Sequence, residues 1–203
     1  MSNLKPRQII AKRIASEFKD GNLVNLGVGI PGLIPDVDDG FMLDVFEEIK
    51  KANKKCIVCV HSENRHLVRR ATQQVKDLKG DSANIIDWSD THPNMAEEEA
   101  VIRLSYLAEK SGVPVYLVHI SSSDAINRIR KIKPFNKYLN IETTSPYLSI
   151  TKHSMTDNTI KMEPPFRDYE DVEELWKAVE DGIVDTIGTD NVTLSKDEKN
   201  INS

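Results

Sequence analysis

An α/β fold with a parallel sheet is the fold class that the sequence predicts, and two observations predict it. Short β-branched runs alternate with amphipathic segments along most of the 203 residues, a pattern typical of right-handed βαβ units. The apolar runs are also nearly continuous rather than alternating with polar residues, as expected of strands that are buried on both faces.

The elements before residue 54 are predicted from periodicity and from turn residues. Apolar residues recur on one stripe of residues 7–19, and Asp20-Gly21 ends that segment,. The acidic residues 36–40 are the candidate junction between two parts of the chain. The predicted elements are a helix over 7–19, a strand over 22–28 and a helix over 41–53.

The remaining elements alternate regularly. Residues 87–94 are predicted as a loop, and residues 147–165 as an irregular stretch. Gly112 is predicted to cap the helix that precedes it. The predicted strands are 55–60, 113–118, 139–142 and 182–189, and the predicted helices are 67–79, 96–111, 124–133 and 171–180.

Composition excludes several classes of function. The net charge is −5 and no basic block is present, which argues against nucleic acid as a partner. No apolar stretch approaches the roughly 20 residues that span a bilayer, and residues 1–12 lack the apolar region of a signal peptide. With two cysteines, Cys56 and Cys59, both inside an apolar run, a reducing, cytoplasmic setting is predicted.

Three predicted strands end on residues that can bind a metal. His61, His119 and Asp190 each follow an apolar run directly. Chemistry in α/β folds is placed at the C-terminal ends of parallel strands. Two imidazoles and a carboxylate are ligands that suit a catalytic divalent ion.

Short motifs from about residue 39 to the end carry a family resemblance. They resemble, in order and spacing, the cyclic amidohydrolases of the dihydropyrimidinase and hydantoinase group, relatives of dihydroorotase. The motifs are His61-Ser62-Glu63-Asn64, His92-Pro93, Val118-His119-Ile120-Ser121-Ser122, Glu142-Thr143-Thr144-Ser145-Pro146, Pro164-Pro165-Phe166-Arg167 and Gly188-Thr189-Asp190.

The resemblance implies a fold and a reaction. It implies the second half of a (β/α)8 barrel with its metal ions at the C-terminal mouth. The family uses two divalent ions, zinc being the expected metal, to hydrolyse a C–N bond in a small cyclic amide such as a dihydropyrimidine or hydantoin. The chain lacks the family's His-x-His pair and its strand-end lysine, so the site is expected to be incomplete.

The resemblance also implies residue roles. His61, His119 and Asp190 are the implied metal ligands, and Asp190 is also the catalytic proton carrier. Ser145 and Asn191 are the implied substrate contacts. Glu63 and Asn64 are not implied ligands, and they are expected to orient the ligands or to pack beside them.

The first residues resemble a different family. Ile10-Ala11-Lys12-Arg13 and residues 24–31 are similar to the start of a 3-oxoacid CoA-transferase β subunit. This resemblance divides the chain into a CoA-transferase-like helix-strand segment, 1–38, and a partial amidohydrolase barrel, 39–203.

Several alternatives stay open. The chain could be a catalytically inactive amidohydrolase relative that acts through assembly, or a CoA-transferase fragment. Open edges of a partial barrel favour a homo-oligomer or a complementary fragment as partner. The sequence leaves open the substrate ring, the metal and whether the chain is active.

Two further features are interpreted as structural rather than functional. Glu97, Glu98 and Glu99 form a charge run that is predicted to be the solvated start of a helix,. His92 falls in the predicted loop before that helix.

Overall fold

A computed structural model describes residues 39–52 and 55–191, the strand at 23–25, and single residues at 13, 16, 19 and 21. Arg13 and Ser16 are helical, in agreement with the predicted helix at those two positions. The rest of that helix, the turn after residue 25 and the tail from 192 lie outside the described residues.

Five short strands form one parallel sheet. They are β1 (Leu23–Asn25), β2 (Ile57–Val60), β3 (Val115–Leu117), β4 (Leu139–Thr144) and β5 (Thr186–Gly188). Their order across the sheet equals their order in the chain, and every pair is parallel. Each strand lies beside the strand that precedes it in the chain, so the chain always crosses the sheet in the same direction. Right-handed connections in one direction place all the connecting helices on the same face of the sheet. This is the arrangement of a barrel rather than of a doubly wound sheet.

Six α-helices connect and flank the strands within the described residues. They are α1 (Asp39–Lys51), α2 (Arg65–Lys79), α3 (Asp87–Asp90), α4 (Asn94–Ser111), α5 (Ser123–Ile132) and α6 (Tyr169–Glu180). Short 3-10 turns occupy Gly80–Ser82, Lys133–Phe135, Lys152–Ser154 and Asn158–Ile160. Within the described residues, no helix is both long and apolar enough to cross a membrane.

The core lies between the helices and one face of the sheet. Strand side chains alternate between faces, and Val60, Leu117 and Ile141 are aligned in register on the helix side. They are fully buried, as are Phe46 of α1 and Leu104 of α4. Burying a side chain of this size contributes about 1.5–3 kcal/mol each.

The opposite face of the sheet is more polar. Cys59, Tyr116 and Asn140 are aligned there, and Glu142 follows two residues after Asn140. The hydroxyl of Tyr116 donates to Glu142 Oε2 at 2.8 Å. Polar groups on this face therefore satisfy one another across neighbouring strands.

The last strand is shorter than predicted. Gly182 has a φ of 68°, and the backbone nitrogens of Ile183 and Val184 donate to Ala178 O. Residues 183 and 184 therefore close the end of α6 instead of pairing with β4. The ladder begins only at Thr186.

Candidate metal centre

The sheet places His61 and His119 together at its carboxyl edge. His61 follows β2 directly, and His119 comes two residues after β3. Nδ1 of His61 lies 3.1 Å from Nε2 of His119, and the ring centroids are 4.8 Å apart. Two nitrogens bound at about 2.1 Å to one tetrahedral ion lie about 3.4 Å apart. The two imidazoles thus fit a common ion with little movement.

The backbone is strained at two of the three predicted ligands. His119 has a φ of 45° and Asp190 a φ of 46°, and among the described residues these are the non-glycine positions with positive φ. Such a conformation costs about 1–3 kcal/mol and persists where the surroundings hold it. Here the His119 nitrogen donates to Glu142 Oε1 at 3.3 Å.

Asp190 lies at the same edge but shows no direct contact with the histidines. Its side chain is exposed. Partial burial and the charge of Glu142 raise the pKa of Asp190. His61 opposes this rise without cancelling it. Asp190 follows the end of β5 by two residues. Its role as a ligand and proton carrier stays a prediction.

Glu63 fixes the protonation of His61. Its Oε2 lies 3.2 Å from Nε2 of His61. Burial by itself lowers the pKa of His61, but Glu63, Glu163 and Glu97 together outweigh burial and the pKa is raised. A proton held on Nε2 leaves the Nδ1 lone pair directed at His119.

His119 is held in the neutral form. Burial, followed by the nearby His61, lowers the pKa of His119 to about 3. Its Nδ1 is buried without a hydrogen-bond partner. A neutral imidazole is the form that binds metal.

Glu97 organises the segment that follows His119, and the prediction that it is solvated is wrong. Glu97 is 0% exposed. One oxygen accepts from Ser121 N at 2.9 Å and Ser121 Oγ at 3.0 Å, and the other accepts from Ser122 N at 2.7 Å and from Ser122 Oγ. Burial raises the pKa of Glu97, and the charge of Arg167 opposes that rise.

Arg167 joins these groups to one another. Its Nε donates to Ser121 Oγ at 3.1 Å, and another of its nitrogens donates to the carbonyl of His92. Its Nη2 lies 3.5 Å from Glu63 Oε1. The segment before α6 is thereby tied to the ends of β2 and β3.

Asn64, Ser145 and Asn191 are the remaining predicted site residues. Asn64 caps α2 by accepting from the backbone nitrogens of His66 and Leu67, and donates to Glu99 at 2.6 Å. It therefore serves the helix rather than the ligands. Ser145 and Asn191 are exposed, and their predicted substrate contacts stay predictions.

Sequence reasoning missed His92, Glu142 and Glu163 as site residues. Glu142 lies between Tyr116 and the His119 nitrogen. A Cβ at Gly188 would come within 2.8 Å of the Glu142 Cδ, so glycine there leaves room for the carboxylate. Glu142 stands at the predicted end of a strand, which is the signal that could have identified it.

Known proteins resemble this chain strongly. No protein-family model matches it. An L-hydantoinase from Paenarthrobacter aurescens is 27% identical over 172 residues, which cover 82% of this chain and 36% of that protein. An allantoinase from Solibacter usitatus is 31% identical over 166 residues, which cover 80% and 35% respectively.

The chain is a relative of the cyclic amidohydrolases.

The fold agrees with this relationship. A crystal structure of D-hydantoinase superposes with a TM-score of 0.78, at 21% identity, over 96% of this chain and 42% of that one. The predicted partial amidohydrolase barrel is therefore confirmed as a fold. This cyclic amidohydrolase relative spans about a third of the length of the two curated relatives.

The CoA-transferase resemblance finds no support. The structural likeness to D-hydantoinase covers 96% of the chain, and no CoA-transferase is among the relatives named above. Most of those residues lie outside the described part of the structure. The division of the chain at residue 38 stays a prediction.

Proposed function

We propose that this chain contributes the histidine side of a metal-dependent site that hydrolyses the C–N bond of cyclic amides. The observation that carries the proposal is the approach of His61 Nδ1 to within 3.1 Å of His119 Nε2 at the carboxyl edge of the sheet. The similarity to a hydantoinase and an allantoinase supports the choice of substrate class.

The donor set fits a divalent ion. Nδ1 of His61 and Nε2 of His119 are the proposed imidazole ligands, and Asp190 is the proposed third ligand. Zinc is the proposed metal, because borderline nitrogen and oxygen donors at low coordination number suit it. When bound, such an ion activates a water and polarises the amide carbonyl.

Side chains around the histidine pair are proposed to position it and to carry a proton. Glu63 holds the proton on His61 Nε2, and Glu97 holds the segment after His119 through Ser121 and Ser122. Asp190, whose pKa is raised, is the proposed carrier of a proton to the leaving nitrogen. Ser145 and Asn191 are proposed to contact the substrate.

The substrates that we propose are dihydropyrimidines and hydantoins. The sequence contains no His-x-His pair, which the resemblance implies for a second ion. A second copy of the chain or a complementary fragment is the proposed source of the remaining ligands.

Zinc titration tests the metal centre. We expect His119→Ala to lower zinc affinity at least tenfold, because one of two converging nitrogens is lost. His66→Ala is the matched control, since His66 is exposed on α2. Unchanged zinc affinity in His119→Ala would contradict the proposed centre.

Turnover tests the reaction. Zinc-loaded protein is incubated with dihydrouracil or hydantoin, and release of the N-carbamoyl amino acid is followed by chromatography. Product formation that is lost in His119→Ala and retained in His66→Ala supports hydrolysis at the histidine centre. Absence of product from the zinc-loaded wild type rules out catalysis by this chain alone.

A further inference from the structure

Three acceptor groups from separate parts of the chain converge beside His61. Glu63 follows β2, His92 lies between α3 and α4, and Glu163 precedes α6. One potential ligand atom of each lies within 4.8 Å of the other two. His92 Nε2 and Glu163 Oε1 are 3.7 Å apart, which is longer than a hydrogen bond.

The hydrogen bonds of His92 direct a lone pair into this cluster. Thr91 Oγ1 donates its single proton to Trp88 O at 2.7 Å. The same oxygen lies 2.7 Å from His92 Nδ1, so it accepts the Nδ1 proton. In the neutral ring Nε2 is then unprotonated, and it faces the carboxylates from a side chain that is 2% exposed.

Glu63 is the buried carboxylate of the same cluster. Its side chain is 3% exposed. Its Oε2 lies 3.2 Å from His61 Nε2, and its Oε1 lies 3.5 Å from Arg167. Neither oxygen accepts a hydrogen bond from the backbone, so the carboxylate depends on charged groups for its compensation.

The positive charges near this cluster are distributed around it. Arg167 lies against Glu63 at 3.5 Å. Lys161 lowers the pKa of Glu163 through its charge, and its ammonium lies 3.8 Å from the centre of the Trp88 ring. His92 Nε2 and Glu163 Oε1 face each other at 3.7 Å.

We propose that Glu63, His92 and Glu163 bind a divalent cation of their own, separate from the ion proposed for His61 and His119. One imidazole nitrogen and two carboxylate oxygens suit Zn²⁺ or Mn²⁺. Binding requires the ligand atoms to draw closer than 4.8 Å. Glu163 can supply that movement because its side chain is 65% exposed.

Zinc stoichiometry and affinity, measured by calorimetry on the purified full chain, test the site. Glu163→Gln keeps the shape of an exposed side chain and removes a ligand charge, so it should preserve the fold. We expect it to lose one zinc ion, or to bind that ion at least tenfold more weakly. Glu170→Gln, another exposed position, is the control and should bind as the wild type does.

Combination with His119→Ala separates this site from the histidine pair. The inferred site predicts that His119→Ala retains an ion that Glu163→Gln removes. Cobalt absorption spectra report the same loss independently, because Glu163→Gln should remove one set of bands.

The possible outcomes are distinct. A zinc ion that is lost in Glu163→Gln but retained in His119→Ala supports this site, and a second ion lost in His119→Ala alone supports the histidine centre as well. An ion lost in His119→Ala with Glu163→Gln indistinguishable from Glu170→Gln overturns this site and leaves the histidine centre standing. The cluster is then a simple contact between His92 and Glu163 that holds no ion.

Discussion

Glu97 shows how a single side chain can differ from its neighbours in a charge run. Glu98 pairs with Arg128 at 2.6 Å near the surface, whereas Glu97 is buried against Ser121 and Ser122. Successive helical residues are turned by about 100°, so adjacent glutamates point in different directions. The run itself carries no signal of which one faces inward.

Glu97→Gln is expected to lower the free energy of unfolding by about 2–4 kcal/mol. The substitution replaces an acceptor of four hydrogen bonds with an amide and removes one of the two buried carboxylates, Glu97 and Glu63, that balance the charge of Arg167,. Urea unfolding followed by circular dichroism measures the change.

Glu98→Gln is the matched control for Glu97→Gln. Its half-exposed ion pair with Arg128 should be worth about 1 kcal/mol or less. If both variants lose the same free energy of unfolding, the hydrogen bonds of Glu97 to Ser121 and Ser122 contribute no more stability than the ion pair of Glu98.

At the scale of the element, α6 begins earlier than predicted because of its cap. Residues 171–180 were predicted, and the helix spans Tyr169–Glu180. Asp168 and Asp171 form a capping box, in which the Asp168 nitrogen donates to Asp171 Oδ2 at 3.1 Å. The reciprocal bonds satisfy backbone donors that would otherwise be free at the helix start.

Asp168→Ala is expected to cost about 1 kcal/mol of unfolding free energy at pH 7. Burial raises the pKa of Asp168, but its contacts with Lys152 and His153 outweigh burial and the pKa lies below its ordinary 3.8. A lowered folded-state pKa adds stability above the unfolded-state value, and that stability is lost as pH falls through the folded-state value.

Stability curves of Asp168→Ala and the wild type should therefore separate at pH 7 and approach each other as the pH falls through the lowered folded-state pKa of Asp168,. Glu170→Ala is the control, because Glu170 is exposed in the same turn. A gap of equal size at acidic pH would show that the Asp168 carboxylate does not act through its charge.

At the scale of the whole molecule, the sheet ends on an open edge. Within the described residues β5 pairs with β4 alone, and Ile187 is 51% exposed. Unpaired strand edges invite association with another chain. The prediction of a homo-oligomer therefore has a candidate surface at β5.

Ile187→Lys is expected to reduce self-association, because a charge on an edge strand opposes pairing. Light scattering over a range of protein concentrations measures the shift toward the monomer mass. Phe135→Lys is the control, since Phe135 is 89% exposed in the 3-10 turn before β4. If the two variants associate equally, β5 is not the associating edge.

The sequence by itself determined the α/β alternation, the parallel sheet and the histidines at its carboxyl edge. His61 and His119 were identifiable because each ends a continuous apolar run, and the carboxyl ends of neighbouring parallel strands must meet. The family relationship was recognisable from the same short motifs in their order.

Only the tertiary structure decided which polar groups support that edge. The burial of Glu97 and the convergence of Glu63, His92 and Glu163 arise from contacts between segments that are distant in sequence. Local periodicity carries no information about such contacts, because they depend on how the strand ends and the loop before α6 pack together. The positive φ values of His119 and Asp190 could not be predicted either, because the contacts that impose them form only on folding.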